Sequence, residues 1–157
     1  MYRSCRRLAC AWLILGTLTS FAVAQTEEEP LVTDRPDFTS TSVTVGRGVV
    51  QLETGYSYVS LGEDGEAAHL HSFPEALLRV GAFAEWFEWR IAFDYNVLDS
   101  AAETTSGPDD LYLAFQIALT PQEGILPEMA IMPQMTVPTG ARAFTADEVL
   151  PGLDWIY

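Results

Sequence analysis

Three groups of residues in this 157-residue chain have types and spacings that could do chemistry. The largest is a set of charged and amide side chains at alternate positions: Glu53, Glu75, Arg79, Glu88, Arg90, Asp94, Asp110 and Gln116. Paired carboxylates can act as general acid and base, but with 22 acidic residues such pairs arise at almost any spacing and single out no reaction. The alternation fits a charged wall better, one that lines a watery passage or braces itself. Glu75 and Arg79 share a face but lie about 13 Å apart along a strand, so neighbouring strands must supply their partners. The second group is His69 and His71, beside Glu63, Asp64 and Glu66. Alternate strand residues project to one side, yet two imidazoles without a well-placed third ligand fit a solvated loop better than a metal site. The third is Asp34, Arg35 and Asp37, which either dock the N-terminal segment against the wall as a plug or belong to a loosely held periplasmic tail. No Gly-rich phosphate loop or Ser-centred nucleophile elbow occurs, so neither an enzyme nor a cofactor is expected.

Composition narrows the field. The formal net charge is -14, and all eight basic residues are Arg. Such a balance opposes nucleic-acid binding, which needs cations to displace counterions. Hydrophobic residues make up 48% of the chain, which excludes a disordered acidic tail. Both cysteines, Cys5 and Cys10, fall in residues 1–24, which read as a secretory signal peptide. Arg3, Arg6 and Arg7 form its basic start, Leu8 to Phe21 its apolar core, and Ala22-Val23-Ala24 the small residues before a cut. Export is expected, and its removal leaves no thiol for zinc, redox or nucleophilic chemistry.

Beyond an irregular segment over residues 25–47, period-two alternation predicts six strands over residues 48–157. Val50, Leu52, Thr54, Tyr56 and Tyr58 share one face of the first, opposite Gln51, Glu53, Gly55 and Ser57. The second runs from Ser72 to Ala82, with Pro74 at its beginning. In the third, Phe87, Trp89, Ile91, Phe93 and Tyr95 alternate with Glu88, Arg90, Ala92, Asp94 and Asn96. The fourth covers Leu111 to Leu119. The fifth covers Met129 to Val137, where Pro133 predicts a bulge or a poorly paired position. A sixth starts at Leu153. Long connections at Leu61–His71, Val97–Asp109 and Thr139–Pro151 alternate with shorter ones at Phe83–Trp86 and Thr120–Leu126.

A soluble β-sandwich that binds a ligand would also have one apolar face per strand. Two levels of aromatics separated by aliphatics, with charges on the opposite face, suit instead an outer-membrane barrel. The expected fold is therefore all-β, an antiparallel up-and-down transmembrane β-barrel. Phe87, Trp89, Ile91, Phe93 and Tyr95 would meet lipid, and the charged set would face the lumen.

A succession of local motifs carries a family likeness. Thr33-Asp34-Arg35-Pro36-Asp37 precedes the first strand and Val50-Gln51-Leu52-Glu53-Thr54-Gly55 opens it. Pro74-Glu75-Ala76-Leu77-Leu78-Arg79-Val80-Gly81 follows, then Glu88-Trp89-Arg90, Gly107-Pro108-Asp109-Asp110-Leu111, Val137-Pro138-Thr139-Gly140 and Pro151-Gly152. In this order they resemble the MetA-pathway phenol-degradation family of outer-membrane β-barrel proteins. The resemblance implies a passive channel or transporter for small neutral, including aromatic, compounds, and brings no catalytic residues. Barrels of a single chain need at least eight strands, so five strands and the start of a sixth are expected to be the N-terminal part of a longer protein. The alternative is that several chains close one barrel. The acidic excess on the wall and in the loops predicts that anions are disfavoured.

Overall fold

The computed structural model describes residues 31–34, 40–62 and 68–157. Residues 1–24, with the signal peptide expected there, and Arg35, Asp37, Glu63, Asp64 and Glu66 lie outside them. The chain divides into two units, Met1–Leu31 and Val32–Tyr157, and every strand belongs to the second. That unit is all-β and antiparallel, with no helix among the described residues.

Ten strands follow one another: β1 (Val50–Glu53), β2 (Ser57–Leu61), β3 (Ala68–Ser72), β4 (Ala76–Gly81), β5 (Phe87–Phe93), β6 (Tyr95–Asp99), β7 (Thr104–Pro108), β8 (Leu111–Thr120), β9 (Met129–Val137) and β10 (Leu150–Ile156). They form a six-stranded sheet, β1-β4-β5-β8-β9-β10, and a four-stranded sheet, β2-β3-β6-β7. The two sheets are sections of the same long hairpins. Hydrogen bonds carry the pairing across the breaks, from Glu75 N to Gly55 O, Phe73 N to Tyr95 O and Asp109 N to Asp94 O. The result is an up-and-down meander, with β1 and β10 as the edges of the larger sheet.

Six strands were expected where ten are observed, because four of the expected ones are interrupted or extended. The stretch Val50–Tyr58 is split by Thr54-Gly55-Tyr56. Pro74 does not open a strand; it lies between β3 and β4 and follows a cis peptide bond. There the strand carries one residue more than either neighbour, since Leu77 faces Glu53 and Ser72 faces Ser57. Such an extra residue swaps the two faces, as at any β-bulge. Asp109–Asp110 does the same between β7 and β8, where Pro108 faces Tyr95 but Tyr112 faces Ala92. Pro133 causes no bulge, since the β8–β9 register is the same on both sides of it and the irregularity falls between Ala118 and Thr120, but it is the poorly paired position the sequence offers as the alternative: the ladder runs from Ala114–Gln134 to Ile117–Ile131 without the two pairs between. The long connections expected at Leu61–His71 and Val97–Asp109 largely dissolve into β2, β3, β6 and β7, leaving residues 62–67 and 100–103 between strands.

The core of the larger sheet is polar. Glu53, Arg79, Glu88, Arg90 and Gln116 are buried on one face, with Leu77, Ala114, Ala130 and Met132 as apolar company there among the described residues. Its other face leaves Leu52, Trp89, Ile91, Phe93, Leu153 and Trp155 exposed, several by more than half. Buried charge and exposed apolar surface are the two informative departures from ordinary burial, and here they share one sheet.

Candidate functional site

Strand register sets Arg79 on β4 directly opposite Arg90 on β5. Like charges in that position repel, so a buried Arg pair needs an anion between them. Glu88 supplies it. Its carboxylate accepts from Arg79 Nε at 2.9 Å and Nη2 at 3.1 Å, and from Arg90 Nε at 2.5 Å. Glu53 on β1 lies 3.4 Å from Arg79 Nη1. Arg79 and Glu88 are both fully buried. Charges so desolvated are tolerable only when their remaining donors and acceptors are also met.

The N-terminal segment meets them. Arg79 Nη1 donates to Val32 O at 3.0 Å and Nη2 to Val43 O at 2.8 Å. Gln116 Nε2 donates to Thr41 O, and Gln51 Nε2 to Val32 O. In return Val45 N donates to Glu88 Oε2 at 2.7 Å and Asp34 N to Glu53 Oε2 at 3.0 Å. The Asp34 carboxylate pairs with Arg90 Nη1 and accepts from Thr41 N. An irregular segment has backbone groups with no ladder to join, and a wall of guanidinium, amide and carboxylate side chains is a surface on which it can lie buried. Gly81 permits the close approach, since a Cβ there would sit 1.6 Å from Gly46 O.

Of the residues singled out from the sequence, Glu53, Arg79, Glu88, Arg90 and Gln116 thus converge with Asp34. Glu75, Asp94 and Asp110 lie beside this cluster. They border a neighbouring cavity of about 1040 Å³, together with Arg90, Asp109, Tyr112 and Phe144. Phe144 and Ala146 come from the β9–β10 connection, which bends over the same face. Asp110 holds it, accepting from Gly140 N at 2.9 Å and Ala146 N at 2.8 Å. Arg90 Nη2, Gln116 Oε1 and Thr136 Oγ1 are buried without a hydrogen-bond partner among the described residues.

On the opposite face, Trp89, Ile91, Phe93 and Tyr95 are exposed, while Phe87 is only 7% exposed. Phe87 stacks between Phe83 and Phe115 and meets Trp86 and Trp89 edge-on. His69 and His71 are not in a loop. They lie on β3, and the swap of faces at Pro74 puts them beside Tyr58 and Tyr56, whose hydroxyls reach their Nδ1 atoms at 2.8 Å. No group of three metal-ligating side chains occurs among the described residues.

Gln51, Asn96, Tyr112 and Phe144 belong to the site as well, although their types alone do not single them out in the sequence. Asn96 is buried between Ser72 and Asp109, bonded to both. Its signal was present in the alternation of the third strand. Phe144 had none, because it reaches the cavity by the path of a loop.

The family model described as "Putative MetA-pathway of phenol degradation" matches residues 33–157. No curated protein and no solved structure matches the chain.

Proposed function

The chain belongs to this phenol-degradation family, and on that footing we propose that it forms the wall of an outer-membrane β-barrel that passes small neutral compounds, aromatic ones included, without catalysis. The observation that carries the reading is the polarity of the six-stranded sheet. It presents Leu52, Trp89, Ile91, Phe93, Leu153 and Trp155 outward and buries Arg79, Glu88, Arg90 and Gln116. A secreted sandwich arranges its sheets the other way, with the apolar faces packed on each other. Lipid is the surrounding that rewards this arrangement. The aromatics support it further. Phe83, Trp86, Phe87, Trp89 and Phe115 cluster at the end of the short 82–86 connection, and Tyr56, Tyr58 and Tyr95 sit toward the other end. Two such levels match the interfacial belts of membrane proteins.

The reading requires partners for the β1 and β10 edges, because an open edge in lipid leaves backbone groups unmet. The phenol-degradation description of the family agrees with an uncharged aromatic permeant, as does the carboxylate-rich cavity, which disfavours anions. The test is the state of the mature chain without detergent. The reading expects folding only in micelles or lipid. A chain that stays monomeric and folded in plain buffer overturns it in favour of a soluble sandwich.

A further inference from the structure

We propose that the β9–β10 connection, residues 138–149, is the constriction of the conduit, with Asp110 as its positioning residue and Phe144 as the side chain that sets the size limit. The inference rests on the conduit reading. The connection does not extend away from the sheet. Thr139 N turns back onto Val137 O at 2.7 Å, and Thr139 Oγ1 accepts from Leu111 N at 3.0 Å. Ala141 N donates to Pro108 O at 2.8 Å, and both Phe144 N and Thr145 N donate to Ala141 O. The chain is thereby coiled into one tight turn that ends with Phe144 and Ala146 against the cavity. Asp110 clamps this turn at both ends through Gly140 N and Ala146 N.

Two glycines show how closely the connection is seated. A Cβ on Gly107 would lie 2.4 Å from the Ala141 Cβ, and one on Gly140 would lie 2.9 Å from Asp110 Oδ1 and 3.0 Å from Asp110 N. Neither approach is open to a larger residue without displacing the turn. The cavity that Phe144 lines is also lined by Ala92, Leu77 and Tyr112. On the conduit reading, a solute moving along the charged face meets an aromatic ring on a clamped loop beside the side chains of β4, β5 and β8.

Two measurements on the full chain test this. In micelles, trypsin has exposed sites at Arg47 and Arg142, while Arg79 and Arg90 are buried. Cleavage of a folded protein tracks how often the segment opens. Asp110→Ala should speed cleavage at Arg142 by about tenfold or more, as expected for two lost charge-assisted hydrogen bonds, and leave Arg47 unchanged. Asp110→Glu should restore part of the protection. In liposomes, a graded series of neutral sugars reads the size limit. Phe144→Ala should admit larger sugars while leaving Arg142 as protected as before, whereas Asp110→Ala should both admit larger sugars and speed cleavage at Arg142. A permeable wild type with an unchanged size limit in both variants overturns the constriction and leaves the conduit standing. No permeation in wild type or variants overturns the conduit, and the constriction with it. Unchanged cleavage at Arg142 in Asp110→Ala overturns the positioning role of Asp110.

Discussion

The six-stranded and four-stranded sheets are made from the same hairpins, yet their faces are opposite in character. In the larger sheet the face of Trp89, Ile91 and Phe93 is apolar and exposed, and the face of Arg79, Glu88 and Arg90 is charged and buried. Along the same strand into β6, the first face continues as Tyr95, Val97 and Asp99, the second as Asn96 and Leu98. In β2 and β3 the contrast is sharper. Tyr58, Ser60, His69 and His71 stand where the larger sheet has aliphatics, while Val59, Leu61 and Leu70 stand on the side of the charges. The change occurs at one level, where Gly55, Pro74, Asp94 and Asp109–Asp110 interrupt the strands. On the proposed reading that level is the rim of the hydrocarbon. Below it the outside must be apolar and the inside must solvate charge; above it both sides meet water and neither rule applies.

Removing charge from the larger sheet tests this contrast most severely. Glu88→Ala leaves Arg79 and Arg90 opposed and buried, with Glu53 still beside the one and Asp34 beside the other but no carboxylate bridging the pair. The expected loss is about 3–5 kcal/mol of stability, the usual cost of removing one partner from a buried ion-pair network, read by denaturant unfolding in micelles or lipid. The corresponding change above the rim, Asn96→Ala, removes only neutral and single-charge hydrogen bonds to Ser72 and Asp109, and about 1–3 kcal/mol is expected. If the two losses were equal, the charge network would have no special standing.

The exposed face offers a second contrast on a single strand. Ile91→Arg, at mid-sheet, should cost about 2–4 kcal/mol in lipid, and Val97→Arg, six residues further along the same face, no more than about 1 kcal/mol. Ala92→Arg, on the cavity side, should be milder than Ile91→Arg. Similar costs at Ile91 and Val97 would remove the rim. The smallest effect belongs to Tyr58→Phe, which deletes an exposed hydroxyl bond to His69 and should cost about 0.5–1.5 kcal/mol.

Why part of this was legible in the sequence and part was not follows from the same contrast. Below the rim the two faces differ strongly in hydropathy, so alternation identified β1, β4, β5, β8 and β9 and the facing of their residues. Phe87, Trp89, Ile91, Phe93 and Tyr95 against Glu88, Arg90 and Asp94 admit hardly another arrangement. Above the rim the faces differ little, and Ala68-His69-Leu70-His71-Ser72 and Thr104-Thr105-Ser106-Gly107-Pro108 read as loop. The extra residues at Pro74 and Asp109–Asp110 deepened the error, because a face swap breaks any period that is followed through it. Within the site, the wall residues were visible as a pattern, but not their purpose. Arg79 has five donors, and the sequence says only that neighbouring strands must supply partners; that two would go to the carbonyls of Val32 and Val43 depends on a segment with no periodicity. Of its trio only Asp34 is among the described residues, and it lies at the wall.

The separations in sequence across the charged wall also bear on the order of assembly. Asp34 meets Arg90 across 56 residues, and Thr41 meets Gln116 across 75. The ligands for the N-terminal segment are spread over β1, β4, β5 and β8, so no single hairpin can hold it. Hairpins close early because their loops are short, whereas contacts of such separation must wait for the entropy of the intervening chain to be spent. The part of Val32–Tyr157 that comes first in the chain is therefore the part that settles last. Until four strands stand side by side, Arg79 and Arg90 remain hydrated, and the cost of drying them falls late, when the anions and carbonyls that offset it are already within reach.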